Sequence, residues 1–166
     1  PPAAGVSPGA KPMAGAYALS SGSPGQTERL GESLAPLLAA GDVVALVGPL
    51  GAGKTRFVAG LARGLGYAAR VRSPTFTLLH EYPGPMSLFH ADLYRIETRD
   101  VAGLGLEEAL ERGPLVVEWA ERLPAPMLGD ALHVEFEVDA GDHRRLTVRA
   151  TGTRGQVLLD AWRPRA

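Results

Sequence analysis

The chain has 166 residues, 21% of them charged, with a formal net charge of -1, a balance that suits one ordinary globular unit with one main core rather than a disordered or membrane-embedded chain. That charge lacks the basic excess of a stand-alone nucleic-acid binder, so any RNA contact is expected to be shared with a partner protein, and neither DNA nor membrane is expected as a partner. Cysteine is absent, which removes disulfides, thiolate nucleophiles and cysteine-held metals. With no apolar run near the ~20 residues of a membrane span and no signal-like start, a soluble cytoplasmic protein is expected.

Residues 1–24 are rich in Pro, Ala, Gly and Ser without an apolar period and read as a flexible tail, leaving 25–166 as a single domain. A helix is predicted from about Thr27 to Ala40, with Leu30, Leu34, Leu37 and Leu38 on one face. Val43 to Val47 is a short apolar run of the kind found in buried parallel strands. A second helix is predicted after Gly53 to about Leu65, packing through Phe57, Val58, Leu61 and Leu65. Thr75 to Tyr82 and Met86 to Tyr94 read as strands joined by the turn Pro83-Gly84-Pro85. Leu106 to Arg112 is a short helix stopped by Gly113-Pro114, and Leu115 to Trp119 is an apolar run that ends on an acid. His133 to Val138 and Arg145 to Thr151 form a second hairpin around Ala140-Gly141-Asp142, and a last helix is predicted from Arg154 to Trp162. Strands alternating with helices, with hairpins added, indicate an α/β protein: a three-layer P-loop NTPase fold with a mixed central sheet and added antiparallel hairpins.

The octapeptide Gly48-Pro49-Leu50-Gly51-Ala52-Gly53-Lys54-Thr55 fits G-x-x-x-x-G-K-[ST] at every fixed position, and it follows a predicted strand and opens a predicted helix. Glycines let several N–H groups turn inward as an anion nest, and the helix start adds its positive dipole end. Lys54 is placed to reach the β- and γ-phosphates, and the Thr55 hydroxyl is a hard oxygen suited to Mg²⁺. The candidate nucleotide-binding set is therefore Gly48, Gly51, Ala52, Gly53, Lys54, Thr55 and Arg56.

A phosphate cradle of this kind also needs an acid for the metal and a group that orients water. Glu118 ends the run Leu115-Val116-Val117, and Asp92 lies in the strand-like stretch Phe89 to Arg95, so both are candidates. The plainer reading of each is an acid that caps a strand or pairs with an arginine such as Arg95. Ser73-Pro74-Thr75-Phe76 is a turn whose hydroxyls could face the γ-phosphate, or a plain β-turn. His90 reads as a structural histidine, since no second histidine stands at metal spacing. Trp119 is balanced between packing and ligand contact, and Arg144-Arg145, Arg163 and Arg165 read as solvated faces.

Taken together, GPLGAGKT, then SPTF about twenty residues on, then FHADLYR, then VVEWAE resemble the TsaE family of small bacterial ATPases of tRNA threonylcarbamoyladenosine (t6A) synthesis, over about residues 26–138. The resemblance implies a cytoplasmic ATP hydrolase that acts with TsaD and TsaB, meets tRNA only through that complex, and uses ATP and Mg²⁺. It implies that Thr55 and Glu118 hold the metal, that Lys54 and the backbone of Gly51 to Thr55 hold the phosphates, that Thr75 belongs to a switch-like loop, and that Asp92 positions or activates water. Pro49 departs from the family, which often has an acid there. A GTPase is excluded because the Asn-Lys-x-Asp guanine motif needs asparagine, and the chain has none. A small-molecule kinase, or an assembly module that binds ATP without significant turnover, would use the same parts and stay as alternatives.

Overall fold

The computed structural model describes residues 15–71 and 78–163, and among these seven strands join one mixed sheet. They are β1 (Tyr17–Ser21), β2 (Val43–Val47), β3 (Leu79–Tyr82), β4 (Leu88–Asp92), β5 (Leu115–Glu118), β6 (Ala131–Val138) and β7 (Arg144–Thr151), in spatial order β1-β7-β6-β2-β5-β4-β3. The pairs β6–β2, β2–β5 and β5–β4 are parallel, whereas β1–β7, β7–β6 and β4–β3 are antiparallel. The expected mixed sheet with hairpins at its flanks is therefore present, and the carboxyl ends of β2, β4 and β5 meet at one edge.

Among the described residues four α-helices pack on this frame: α1 (Pro24–Leu34), α2 (Lys54–Gly64), α3 (Leu106–Leu110) and α4 (Gly152–Trp162). Along each strand successive side chains face opposite sides, so alternate apolar residues build two cores. Val44, Leu46, Leu132, Val134 and Val148 face α1, α2 and α4. There Phe57 meets Phe136 edge-on at 5.7 Å and Trp162 at 6.0 Å, which ties α2 to β6 and α4. Ala45, Phe89, Ala91 and Val117 face the other way, toward α3 and the short 3₁₀ turns Thr98–Leu104 and Ala120–Arg122. No member of that second core comes from β6 or β7, so the third layer covers only part of the sheet. Helices α1 and α2 cross closely because glycines stand at the contact: a Cβ at Gly60 would lie 1.9 Å from the Glu28 carbonyl oxygen, and one at Gly31 would lie 2.2 Å from that of Phe57.

Several boundaries differ from expectation. Helix α1 begins at Pro24 and ends at Leu34, not Thr27 to Ala40. Ser23 caps it, its Oγ accepting from the Gln26 N–H at 3.1 Å with proline in the first turn, and Pro36 breaks the ladder so that the chain continues as a 3₁₀ turn, Ala35–Leu37. Residues 17–21, expected within the tail, instead form β1, which pairs along β7 from Tyr17↔Val148 to Ser21↔Arg144. Its inward Ser21 is satisfied by Thr27 at 2.7 Å. The expected strand from Thr75 is described only from Leu79, and Thr75 to Thr77 lie outside the described residues. At the opposite end of the sheet Arg154 grips buried Asp42 with Nε and Nη2, at 2.7 and 2.8 Å, and Asp42 also accepts the Ala39 N–H at 2.7 Å, tying α4 to the turn before β2. No described helix is long and apolar enough to cross a membrane.

Candidate nucleotide site

The loop from β2 to α2 is built around left-handed backbone. Gly51 and Gly53 have φ of 78° and 103°, angles that cost a side chain but cost glycine nothing. Gly53 caps α2 without any side-chain hydrogen bond, so the first N–H groups of the helix are left for an anion rather than closed by a serine or aspartate. Phe57 anchors the first turn through its N–H to the Gly53 carbonyl at 2.9 Å. Ala52 is buried, and Gly48, Gly51, Ala52, Gly53, Lys54, Thr55 and Arg56 follow one another around this turn as expected.

Lys54 is the buried cation of the site. Its Nζ donates to the Gly48 carbonyl at 2.5 Å and lies 4.1 Å from the centre of the Trp119 ring. Burial pulls its pKa below the ordinary lysine value, and the charges of Glu118, Glu121 and Asp92 oppose that shift. Beside it the Thr55 Oγ1 sits 3.3 and 3.5 Å from the two carboxylate oxygens of Glu118. The expected pair is thus brought together across 63 residues of sequence, because β5 lies next to β2 with Leu46 opposite Glu118. Asp92 ends β4 directly opposite Glu118 and accepts the Tyr94 N–H at 3.0 Å. A recess of about 260 Å³ joins Lys54, Thr55, Asp92, Glu118 and Trp119. A hydroxyl and a carboxylate side by side are hard oxygen donors, so the residues present fit a magnesium ion.

Several side chains hold this arrangement in ways that spacing along the chain does not reveal. His90 is fully buried between Glu118 and Tyr82: its Nε2 lies 2.6 Å from Glu118 Oε2, and its Nδ1 lies 2.9 Å from the Tyr82 hydroxyl. A carboxylate only accepts, so Nε2 carries a proton toward Glu118, while Nδ1 meets the hydroxyl of Tyr82, whose own pKa burial pushes up. The histidine read as structural therefore aims Glu118. Trp119 resolves toward the site, since its ring covers the Lys54 ammonium while its backbone takes φ 59°, the one positive φ among described non-glycine residues. Arg144, read as a solvated face, instead reaches the loop with Nη2 to the Gly51 carbonyl at 3.2 Å. Arg56 lines the recess but pairs with Glu28 at 2.8 Å. Ser73 to Phe76, with the switch candidate Thr75, lie outside the described residues.

The chain is similar to known proteins over most of its length. The family model for threonylcarbamoyl adenosine biosynthesis protein TsaE matches residues 21–146. The tRNA threonylcarbamoyladenosine biosynthesis protein TsaE of Bacillus subtilis (strain 168) is 37% identical over 139 residues, covering 82% of this chain and 87% of the relative. Its counterpart from Treponema pallidum (strain Nichols) is 41% identical over 124 residues, covering 74% and 92%. The crystal structure of Bacillus subtilis YdiB superposes with a TM-score of 0.74 at 33% identity, over 89% of this chain and 93% of that one. With its P-loop, its strand order and these relatives in agreement, the chain belongs to the TsaE family, the family of tRNA threonylcarbamoyladenosine biosynthesis.

Proposed function

We propose that this protein binds and hydrolyses ATP at the loop between β2 and α2, with Mg²⁺, in support of a TsaD–TsaB complex that forms t6A on tRNA. The observation that carries the reading is the meeting of Thr55 and Glu118, at 3.3 Å, beside an uncapped helix start and a buried lysine. Bound there, the metal would neutralise charge on the phosphate oxygens. Thr55 and Glu118 are the residues that would hold it. The backbone N–H groups of Gly51 to Thr55 bind the phosphates, and Lys54 exchanges the Gly48 carbonyl for them, a swing of a flexible side chain that needs no backbone change. Asp92, one strand further along the same edge, orients the attacking water and accepts its proton. His90 keeps the Glu118 carboxylate turned toward Thr55. TsaD and TsaB enter through the family, and a cytoplasmic location goes with them.

The test is steady-state ATP hydrolysis by the purified protein, alone and with TsaD and TsaB, set beside nucleotide affinity by calorimetry. ATP binding with phosphate release that rises on adding the partners is expected. ADP formation that requires a phosphate acceptor would move the assignment to a kinase, and tight binding with no turnover under either condition would move it to an assembly module.

A further inference from the structure

Beyond the edge of the third layer, on the sheet face turned away from α2, β6 and β7 floor a second recess of about 240 Å³. An exposed antiparallel face ordinarily carries polar side chains in water. Here they are enclosed. Thr147 is only 6% exposed and His133 only 7%, and the Thr147 Oγ1 finds no hydrogen-bond partner among the described residues. A buried hydroxyl left unpaired destabilises a fold, so its presence asks for a ligand group that completes it.

The charges point the same way. Arg149 stands across the ladder from His133, and Glu135 across from Thr147, so guanidinium and carboxylate share one small recess. Both are partly buried, yet neither forms an ion pair with a described residue. His133 adds no charge at neutral pH, because burial and then Arg149 hold its pKa down to about 4. Its Nε2 is engaged with Thr151 Oγ1 at 2.9 Å. The remaining wall is the apolar Val47, Ala120 and Leu128, with a second acid, Glu121, beside them. A guanidinium facing the carboxylates of Glu135 and Glu121 over an apolar wall complements a ligand with an anion and a cation on adjoining atoms and a short apolar branch. The volume falls below the ~300–1,000 Å³ of pockets for drug-sized ligands and suits one small molecule.

We propose that this recess binds a free α-amino acid as its zwitterion: Arg149 forks the carboxylate, Glu135 takes the ammonium, Thr147 completes its hydroxyl on the ligand, and the side chain lies against Val47 and Leu128. Val47 runs directly into Gly48, so the site adjoins the phosphate loop without sharing its lysine. The assignment stands independently of ATP hydrolysis.

The full-length chain is titrated by calorimetry and amide NMR with each of the twenty free amino acids to ~10 mM, about ten times the Kd of a weak millimolar site. Saturable binding of at least one small amino acid is expected, with shifts on β6 and β7. Its amide and its N-acetyl derivative should bind at least about tenfold more weakly, as should the free amino acid to Arg149→Gln. Glu135→Gln serves as the second arm should Arg149→Gln melt early, and Thr147→Val should fold as well as the parent while binding several-fold more weakly. Lys54→Ala should leave the amino-acid affinity unchanged, which separates this site from the nucleotide reading. The proposal is overturned if no amino acid saturates, if the blocked derivatives bind as tightly as the free form, or if a folded Arg149→Gln or Glu135→Gln retains full affinity.

Discussion

Replacing Glu118 by glutamine tests the metal assignment with little change of shape. The carboxylate lies 3.3 and 3.5 Å from Thr55 Oγ1 and 2.6 Å from His90 Nε2 at the buried end of β5. Glutamine keeps an oxygen for either neighbour but loses the charge. Contacts to a charged group contribute about 1.5–3 kcal/mol, and each 1.4 kcal/mol is tenfold in an equilibrium constant. Because Thr55 and the phosphates would still hold the metal, the lower half of that range applies, and the Mg²⁺ concentration for half-maximal hydrolysis should rise roughly 10- to 40-fold. The assay is initial ATPase rate against free Mg²⁺ at saturating ATP, with a melting curve to confirm the fold. An unchanged Mg²⁺ midpoint with a lower maximal rate would refute the reasoning, since Glu118 would then act on water rather than on metal.

Lys54→Ala should weaken ATP binding by about 10- to 100-fold, because the cradle loses a charge-assisted contact; equal affinity by calorimetry would rule this out. Asp92→Asn should lower turnover by about 10²-fold with the Mg²⁺ midpoint unmoved, and full turnover in that variant would leave the acid with no part in handling water. Gly60→Ala should cost about 1–3 kcal/mol in a urea titration, since the new Cβ would stand 1.9 Å from the Glu28 carbonyl and force α1 from α2; a parental midpoint would contradict so close a crossing. The pKa of His133 is lowered from 6.5 to about 4, so below pH 6.5 the unfolded chain takes up a proton that the folded chain refuses until about pH 4. Stability should therefore fall as pH drops through that window, and it should fall less in His133→Gln when both are followed by chemical denaturation.

The parts legible in the sequence were those whose signal is local. Val43–Val47, the glycine loop and the start of α2 form one continuous pattern, and Glu118 announces itself by ending an apolar run. What escaped depends on pairing across long separations. Strand β1 is held by β7, more than a hundred residues away, and its five residues carry a polar Ser21 inward, where it meets Thr27 and the Ser23 carbonyl. His90 aims Glu118 because β4 lies beside β5 in register, a fact that no spacing contains. Arg144 reaches Gly51 because β7 begins at the edge of the sheet where β2 and β6 end. The start of α1 was legible in principle, since Ser23-Pro24 is a cap followed by a first-turn proline, but it lay in a stretch whose composition read as tail.

The electrostatics of the site bear on the proposed role of a metal. Glu118, Glu121 and Asp92 all act on the Lys54 ammonium. The nearby Arg56 is taken up by Glu28, and Arg122 donates to the carbonyls of Leu93, Tyr94 and Ile96. Phosphates entering alone would meet those carboxylates at short range in a half-enclosed recess, where repulsion is screened far less than in water. One lysine, itself drawn toward three acids, does not reverse that sign. A divalent cation between Thr55 and Glu118 would, by placing two positive charges where carboxylate and phosphate oxygens converge. The same acids, the Gly48 carbonyl and the Trp119 ring hold the ammonium in a half-dry pocket, where the phosphates of the proposed nucleotide would meet it.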